Sequence, residues 1–241
     1  LADGVLSISQ YARSLIEPMY DGAHVVIVGP VDTDAFTPGE LVPDPNTAIC
    51  VSRIMRHKGI DRIIRALPDG LSLRVVGVVY DEPYYNDLRS LAAGRDVTFI
   101  HDADDDRLLH LYRTSGLFLQ GSTTRDVYGT AIRKPELMGL TTLEAMSCGL
   151  PVVVSDAASL PELAPDARFG RVFSTERELR DILEAFVSGA WPARGAGALA
   201  RQHVIAEHGH EVVGGRLADF YACMHALASD EVGPSRAACE S

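Results

Sequence analysis

Two glutamates bracket the predicted start of a short helix, where they could accept hydrogen bonds from hydroxyl groups. Glu136 precedes Gly139, at which the helix is expected to begin, and Glu144 lies on the second turn. A helix N-terminus presents unpaired N–H groups and partial positive charge, which attract an anion. An anion with hydroxyl groups on both sides of it describes a nucleotide sugar.

Two cations, Arg53 and Lys58, follow the apolar run at residues 48–51 and come just before an amphipathic helix. If the run is a strand of a parallel sheet, both cations lie at its carboxyl end, where such sheets bind ligands. Arginine grips phosphate oxygens with its planar fork, and lysine acts as a point charge. The alternative interpretation is a pair of solvated surface cations.

Apolar runs and amphipathic segments alternate along the chain and predict the elements that position these side chains. Strands are predicted at residues 24–29, 48–51, 73–79, 97–100, 117–120, 152–154 and 171–173. Helices are predicted at residues 60–67, 84–91, 104–114, 176–190, 193–208 and 211–228, and the short helix that starts at Gly139 ends at Gly149. This alternation is typical of an α/β fold with a Rossmann-like, doubly wound parallel sheet.

The composition is that of a globular, acidic protein. The chain has 241 residues, 46% of them hydrophobic, which is enough to bury a core. Its 33 acidic residues outnumber the 22 lysines and arginines and give a net charge of −11. Because no basic run is present, we expect no nucleic-acid partner. The apolar runs are too short to span a membrane, and peripheral contact with a membrane stays open.

Cysteine spacing argues against a metal or redox site. The four cysteines, Cys50, Cys148, Cys223 and Cys239, contain no C-x-x-C pair. Cys50 and Cys148 lie in apolar runs and are predicted to be buried, reduced thiols. We therefore expect a reducing, cytoplasmic location. The chain starts with Leu1 rather than Met, so a preceding targeting segment stays open.

The stretch from residue 136 to residue 156 carries a family signature. Its sequence, E-L-M-G-L-T-T-L-E-A-M-S-C-G-L-P-V-V-V-S-D, resembles the E-x7-E motif of retaining glycosyltransferases with the GT-B fold, in family 4, the glycosyl transferases group 1. Residues 52–59 resemble the family's G-R-x4-K-G pattern, with Ser52 in place of the first glycine. Residues 29–36 resemble its G-V-D-x-x-x-F pattern, with Pro30 inserted. A helix-capping acid and a surface acid would explain the two glutamates alone, but not the surrounding match.

The resemblance implies roles for the charged residues. Arg53 and Lys58 would bind the diphosphate of the donor, and Glu136 would bind hydroxyl groups of the transferred sugar; these three form the implied catalytic set. Glu144 would bind the ribose hydroxyls. The two cations would stabilise the negative charge that builds on the departing phosphate.

The resemblance also implies backbone contacts with the donor. They come from Gly139, Leu140 and Thr141 at the phosphates and from Ile100 and His101 at the base. No cofactor is implied, since cations and amides can replace a divalent metal, and no metal ligands are predicted. The acidic run at residues 104–106 fits the first turn of a helix better than a metal site.

The resemblance covers only the C-terminal, donor-binding half of a GT-B enzyme. Residues 1–45 would be the tail of the N-terminal acceptor domain and the hinge, with a proline-rich linker at residues 37–46. Residues 46–210 would be the donor-binding domain, and residues 211–241 a helix that returns to the acceptor domain, followed by a tail. The returning helix carries an apolar stripe of Val213, Leu217, Phe220, Tyr221 and Met224. An acceptor-binding domain or chain is therefore an expected partner.

The loop at residues 121–135 is longer and more basic than the family's compact version. It contains Arg125, Arg133 and Lys134. Two interpretations are open: a solvated surface loop, and a loop that contacts the acceptor or a phosphate.

We expect a retaining glycosyltransferase that moves a hexose-type sugar from a nucleoside diphosphate sugar to an acceptor hydroxyl. Retention implies attack from the face of the leaving group, with Glu136 positioning the sugar rather than acting as a nucleophile. Two alternatives stay open: a non-catalytic nucleotide-sugar-binding module that works with a partner chain, and a phosphorylase or epimerase on the same architecture. The residues identify neither the base, the sugar nor the acceptor.

Overall fold

The computed structural model describes residues 4–20, 22–191 and 193–228. The strands are β1 (Gly4–Ser7), β2 (Ala23–Val26), β3 (Asp44–Val51), β4 (Ser72–Val76), β5 (Val97–Ile100), β6 (Ser115–Gln120), β7 (Val152–Ser155) and β8 (Gly170–Phe173). The α-helices are α1 (Gln10–Ile16), α2 (Ile60–Ala66), α3 (Glu82–Leu91), α4 (Asp105–Arg113), α5 (Leu140–Ser147), α6 (Glu176–Val187), α7 (Ala193–His208) and α8 (His210–Ala228). The tail predicted after residue 228 lies outside the described residues.

Six strands form one parallel sheet in the order β5-β4-β3-β6-β7-β8. Residues 152–154 of β7 are fully buried, as expected for a strand covered on both faces. Helix α2 contacts both α3 and α6, and α5 contacts α7. The predicted Rossmann-like α/β fold is confirmed. The strand order changes direction between β3 and β6, so the loops after these strands meet at the switch point where such folds bind ligands.

Two glycines let the loops after β3 and β6 approach each other closely. Gly59 precedes α2 with a φ of +59°, and a Cβ there would lie 2.0 Å from the carbonyl oxygen of Gly121. A Cβ on Gly121 would lie 2.6 Å from the carbonyl oxygen of Gly59. The carbonyl oxygen of His57 accepts the N–H of Thr123 at 2.9 Å. Direct backbone packing therefore joins the two loops at the switch point.

Strand bounds differ from prediction by three residues or more at three places. β2 and β4 each end three residues earlier than predicted, at Val26 and Val76. Gly77 follows β4 with a φ of +146°, which breaks the regular ladder. β3 begins earlier than predicted, at Asp44, inside the predicted linker. A division of the chain after residue 45 would fall within a strand, and the domain division stays a prediction.

The remaining strands, β1 and β2, form a separate two-stranded parallel sheet. Helix α8 packs near it through an apolar cluster of Leu6, Val25, Ile27, Val213, Leu217, Phe220 and Met224. The predicted stripe is wrong in one member, since Tyr221 is 66% exposed. Tyr221 lies about 100° around the helix from Phe220 and so points away from the cluster. Helix α8 thus contacts the N-terminal segment, and its contact with an acceptor domain stays a prediction.

Cys50 and Cys148 are buried and free, as predicted. Burial raises the pKa of each thiol to about 12. Both thiols are therefore protonated near neutral pH and behave as small apolar side chains.

Glu162, which follows β7 in the chain, completes the N-terminal cap of α1. Its carboxylate accepts the N–H groups of Gln10, at 2.8 Å, and Tyr11, at 2.9 Å. Ser9 accepts the N–H of Ala12 at 2.9 Å. The first N–H groups of a helix have no partner within the helix. Here Glu162, which lies 152 positions after Gln10 and 151 after Tyr11, supplies the partner.

We expect Glu162→Ala to lower the free energy of unfolding by about 1–2 kcal/mol, because it removes two charge-assisted hydrogen bonds from a partly exposed cap. Urea unfolding followed by circular dichroism measures the change. Glu162→Gln, which keeps one acceptor oxygen, should lower the free energy of unfolding by less. Glu184→Ala, at an exposed position of α6, is the control and should change little. A Glu162→Ala variant as stable as this control would contradict the capping role.

Candidate active site

The loops after β3 and β6 bring Lys58 and Glu136 into contact. Lys58 Nζ lies 2.5 Å from Glu136 Oε2, although the two residues are 78 positions apart. The side chains are only 11% and 14% exposed. Poorly solvated charges are tolerated when they are matched, so the contact holds both side chains in one geometry.

Two uncharged side chains also form hydrogen bonds with the Glu136 carboxylate. Gln120 Nε2 and Ser122 Oγ donate to Glu136 Oε2 at 3.0 and 3.2 Å. The Glu136 carbonyl oxygen accepts from Ser159 Oγ at 3.0 Å. In the described part of the chain no hydrogen bond reaches Oε1, so one carboxylate oxygen is held and the other is open to a ligand. Gln120 was not among the predicted site residues, although a glutamine that ends an apolar strand is a signal for a polar role.

Gly139 precedes α5, as predicted, with a φ of +84°. A Cβ there would lie 2.8 Å from Leu163 Cδ1 and 2.9 Å from Leu160 Cδ2. Both the backbone conformation and the available space therefore require glycine. Because glycine has no side chain to cap the helix, the N–H groups of the first turn, at Leu140 and Thr141, suit an anion.

Glu144 is held from a neighbouring helix. Tyr112 of α4 donates its hydroxyl to Glu144 Oε2 at 2.9 Å. Burial raises the pKa of Glu144, and the hydrogen bond from Tyr112 opposes that shift. Burial also raises the pKa of Tyr112, and the charge of Glu144 adds to the rise. The tyrosine therefore stays protonated and donates to the carboxylate. Sequence analysis missed it because it lies on another helix.

Arg53 has a different partner from Lys58. Its guanidinium lies 5.6 Å from the centre of the Tyr80 ring, at an exposed position after β3. Burial lowers the pKa of His57, and the positive charges of Lys58 and Arg53 lower it further. Both cations thus contribute positive potential to this loop, and their joint contact with a diphosphate stays a prediction.

Ile100 and His101 lie at the end of β5, on the same edge of the sheet. His101 Nδ1 donates to the Gly77 carbonyl oxygen, and Nε2 forms a hydrogen bond with the Tyr85 hydroxyl, both at 2.9 Å. The Ile100 carbonyl oxygen accepts the N–H of Gly77 at 2.9 Å. The imidazole is therefore held by the fold, and a backbone contact with a base stays a prediction.

The long segment after β6 folds into a hairpin, which sequence analysis did not predict. Arg125 and Ala131 form an antiparallel bridge. Asp126, only 5% exposed, accepts the N–H groups of Tyr128 and Thr130 at 3.0 and 2.8 Å. Arg125 donates to a carbonyl oxygen inside the hairpin, so this cation has a structural partner.

A cation–π contact attaches the hairpin to the loop after β3. The guanidinium of Arg56 lies 4.9 Å from the centre of the Tyr128 ring and pairs with Asp81 at 2.6 Å. The segment's other basic residues, Arg133 and Lys134, are exposed. The hairpin is therefore fixed beside the site, and a contact with an acceptor or a phosphate stays a prediction for these two residues.

Within the described ranges, no group of three or more histidine, cysteine, aspartate or glutamate residues is placed to hold a metal ion. The acidic run at residues 104–106 belongs to the start of α4, where the Asp104 carboxylate accepts the N–H of Arg107 at 2.8 Å. Whether the chemistry requires a metal is a separate matter, and independence from metal stays a prediction.

None of the described helices has the length and apolar character needed to cross a membrane.

Most of the sequence matches a known family. The family model described as "Glycosyl transferases group 1" matches residues 31–189. The chain belongs to this family of glycosyltransferases. Over 243 residues it is 29% identical to the GDP-mannose-dependent alpha-(1-6)-phosphatidylinositol monomannoside mannosyltransferase of Mycobacterium tuberculosis, a match that covers 90% of this chain and 61% of that protein. Sulfoquinovosyl transferase SQD2 of Arabidopsis thaliana is 29% identical over 154 residues, 58% of this chain and 28% of that protein.

Solved structures share the fold. Sucrose-phosphate synthase from Thermosynechococcus elongatus matches with a TM-score of 0.77 at 22% identity, over 94% of this chain and 59% of that one. Anabaena HepE, solved in complex with UDP, matches with a TM-score of 0.79 at 18% identity, over 92% of this chain and 64% of that one. The fold is therefore that of GT-B glycosyltransferases, and the chain spans about three fifths of the length of the mycobacterial relative and of these two solved structures.

We expect Glu144→Gln to stabilise the folded chain at neutral pH. A carboxyl group whose pKa is raised on folding holds its proton more tightly in the folded state, so its ionisation destabilises that state as pH rises through the raised pKa. Because glutamine does not ionise, the variant keeps this stability at neutral pH. Below the ordinary glutamate pKa the wild-type side chain is protonated, and the two proteins should be nearly equal in stability.

Urea unfolding at a pH below the ordinary glutamate pKa and again at neutral pH measures the effect. Glu184→Gln, at an exposed position, is the matched control. A Glu144→Gln variant that is less stable than wild type at neutral pH would show that burial does not disfavour this charge.

Proposed function

We propose that this chain is the donor-binding half of a retaining glycosyltransferase, which moves a hexose-type sugar from a nucleoside diphosphate sugar to an acceptor hydroxyl. The observation that carries the proposal is the contact of Lys58 with Glu136 at the switch point that also holds the start of α5. A cation, a carboxylate and a helix N-terminus at one edge of the sheet suit a ligand with both phosphate and hydroxyl groups.

In the proposed complex the donor diphosphate lies against Lys58, Arg53 and the amides of residues 139–141. These groups stabilise the charge that builds on the departing phosphate. Arg53 can leave Tyr80 for this purpose, because a cation–π contact at an exposed site contributes only about 0.5–1 kcal/mol. This electrostatic stabilisation is the reason that we propose no requirement for a metal.

The two glutamates divide the hydroxyl groups of the donor between them. Glu136 binds those of the transferred sugar with its open oxygen, Oε1, and Glu144 binds those of the ribose. A poorly solvated carboxylate disfavours an analogue that lacks the hydroxyl, because its charge is then left without a partner. The base lies against the backbone at Ile100 and His101.

Retention follows from attack on the face that the diphosphate leaves. The bond from the anomeric carbon to the phosphate oxygen breaks, and a bond to the acceptor oxygen forms on the same face. The acceptor proton passes to the departing phosphate, and Glu136 positions the sugar. The pairing of Glu136 with Lys58 supports this role over that of a nucleophile, since a carboxylate that shares its charge with a lysine is a weaker nucleophile.

GDP-mannose is the donor that we propose first, because a relative 29% identical over 90% of this chain is named as GDP-mannose-dependent. The same name specifies a phosphatidylinositol monomannoside, which is therefore the first acceptor to test. Since the chain spans 61% of that relative's length, we propose that a further N-terminal domain or chain holds the acceptor. The cytoplasmic location stays a prediction.

We expect the 241-residue chain to bind GDP-mannose and to transfer little sugar by itself, because most of the rate gain from positioning is lost when one reactant is not held. Incubation with labelled GDP-mannose and the acceptor, with and without the N-terminal domain of the mycobacterial relative in trans, measures transfer. Addition of that domain should raise transfer and give a product of retained anomeric configuration.

Robust transfer by the chain alone would contradict the half-enzyme proposal, and an inverted product would contradict retention. Binding without transfer under both conditions would favour a non-catalytic nucleotide-sugar-binding module. Release of a sugar phosphate would favour a phosphorylase.

A further inference from the structure

We propose that Gln120 is a positioning residue, which orients Glu136 for recognition of the transferred sugar. This inference rests on the proposed function. Gln120 is the last residue of β6 and is 4% exposed. Its side-chain amide is bonded at both ends. Nε2 donates to Glu136 Oε2 at 3.0 Å, and Oε1 accepts from the hydroxyl of Thr142, which is fully buried.

The orientation of the amide follows from the chemistry of its partners. An ionised carboxylate only accepts hydrogen bonds, so the NH2 group must face Glu136. The carbonyl oxygen of Gln120 then faces Thr142, whose hydroxyl can donate to it. Reversing the amide would place two acceptors against each other at Glu136, and this arrangement is disfavoured.

The second bond of Gln120 ties the sugar-binding carboxylate to the phosphate-binding helix. Thr142 lies in the first turn of α5, and its N–H bonds to the carbonyl oxygen of Gly139 at 3.0 Å. A single buried side chain thus spans from Glu136 to the helix start. In a nucleotide sugar the transferred sugar is joined directly to the diphosphate, so the separation of the two subsites must be fixed.

Gln120 also determines which oxygen of Glu136 meets the ligand. Oε2 accepts from Lys58, Gln120 and Ser122, whereas in the described part of the chain no hydrogen bond reaches Oε1. Three donors on one oxygen fix the rotation of the carboxylate and leave the other oxygen for a hydroxyl group of the ligand. A carboxylate held in this way binds a hydroxyl without first losing rotational freedom, which is the advantage of preorganisation.

The opposing explanation is that Gln120 is a buried polar residue whose bonds only maintain the fold. A role in the fold would affect every ligand of the site. A positioning role would affect only ligands that carry the transferred sugar, and only while Glu136 is present.

The test uses Gln120→Met in the 241-residue chain, since methionine has nearly the same length and forms neither hydrogen bond. Calorimetric titration with GDP and with GDP-mannose measures the two affinities. We expect GDP affinity to stay within about twofold of wild type and GDP-mannose affinity to fall about tenfold, the change that corresponds to one lost hydrogen bond to a charged group. In a Glu136→Ala background, Gln120→Met should cause no further loss.

Thr47→Val is the matched control. Thr47 is a buried polar residue of β3 at the opposite end of the same sheet, where its hydroxyl bonds to Asp44 at 2.6 Å and to Ser72 at 3.0 Å. Its replacement should leave both affinities unchanged. If Gln120→Met does not fold, Thr142→Val removes the other end of the same link and should also weaken GDP-mannose binding more than GDP binding.

Equal losses for GDP and GDP-mannose, or a further loss in the Glu136→Ala background, would overturn the positioning role while leaving the proposed function intact. If the wild-type chain binds GDP but binds neither GDP-mannose nor UDP-glucose, the proposed function is wrong, and this inference with it.

Discussion

The ion pair of Lys58 and Glu136 constrains the carboxyl edge of the sheet. Two charges that are 11% and 14% exposed must stay matched, because loss of one leaves the other unpaired in poorly solvated surroundings. The match requires the loops after β3 and β6 to meet backbone to backbone, which Gly59 and Gly121 permit. It also requires β3 and β6 to be neighbours in the sheet. Strand order, loop path and glycine positions together hold these two charges in place.

Much of the fold can be predicted from local sequence. The unbroken apolar residues 152–154 predict a strand buried on both faces, and they form one. Gly139 and Gly149 bracket α5, since both adopt a positive φ that favours glycine. Because strands and helices alternate, Lys58 and Glu136 can also be assigned to the carboxyl edge before any contact is known. Local pattern is therefore sufficient to place these two side chains on one edge of the sheet.

The partners of the site residues could not be predicted, because they depend on how distant elements pack. Gln120, Tyr112 and Glu162 each bond a group on another element, and their own sequence neighbours do not specify it. The hairpin after β6 was missed for a related reason. Its turn depends on Asp126, whose carboxylate bonds backbone N–H groups and becomes buried. The predicted stripe of the last helix also included Tyr221, which lies about 100° around the helix from Phe220 and is 66% exposed.

The central claim is that the contact of Lys58 with Glu136 marks the site of the donor diphosphate. Calorimetric titration of GDP into the wild-type and Lys58→Ala chains tests it most directly, with Arg177→Ala at an exposed position of α6 as the control. We predict that Lys58→Ala weakens GDP binding by about 1.5–3 kcal/mol, the contribution of a hydrogen bond to a charged group, and that the control binds GDP as wild type does. Equal GDP affinity in all three proteins would contradict the claim.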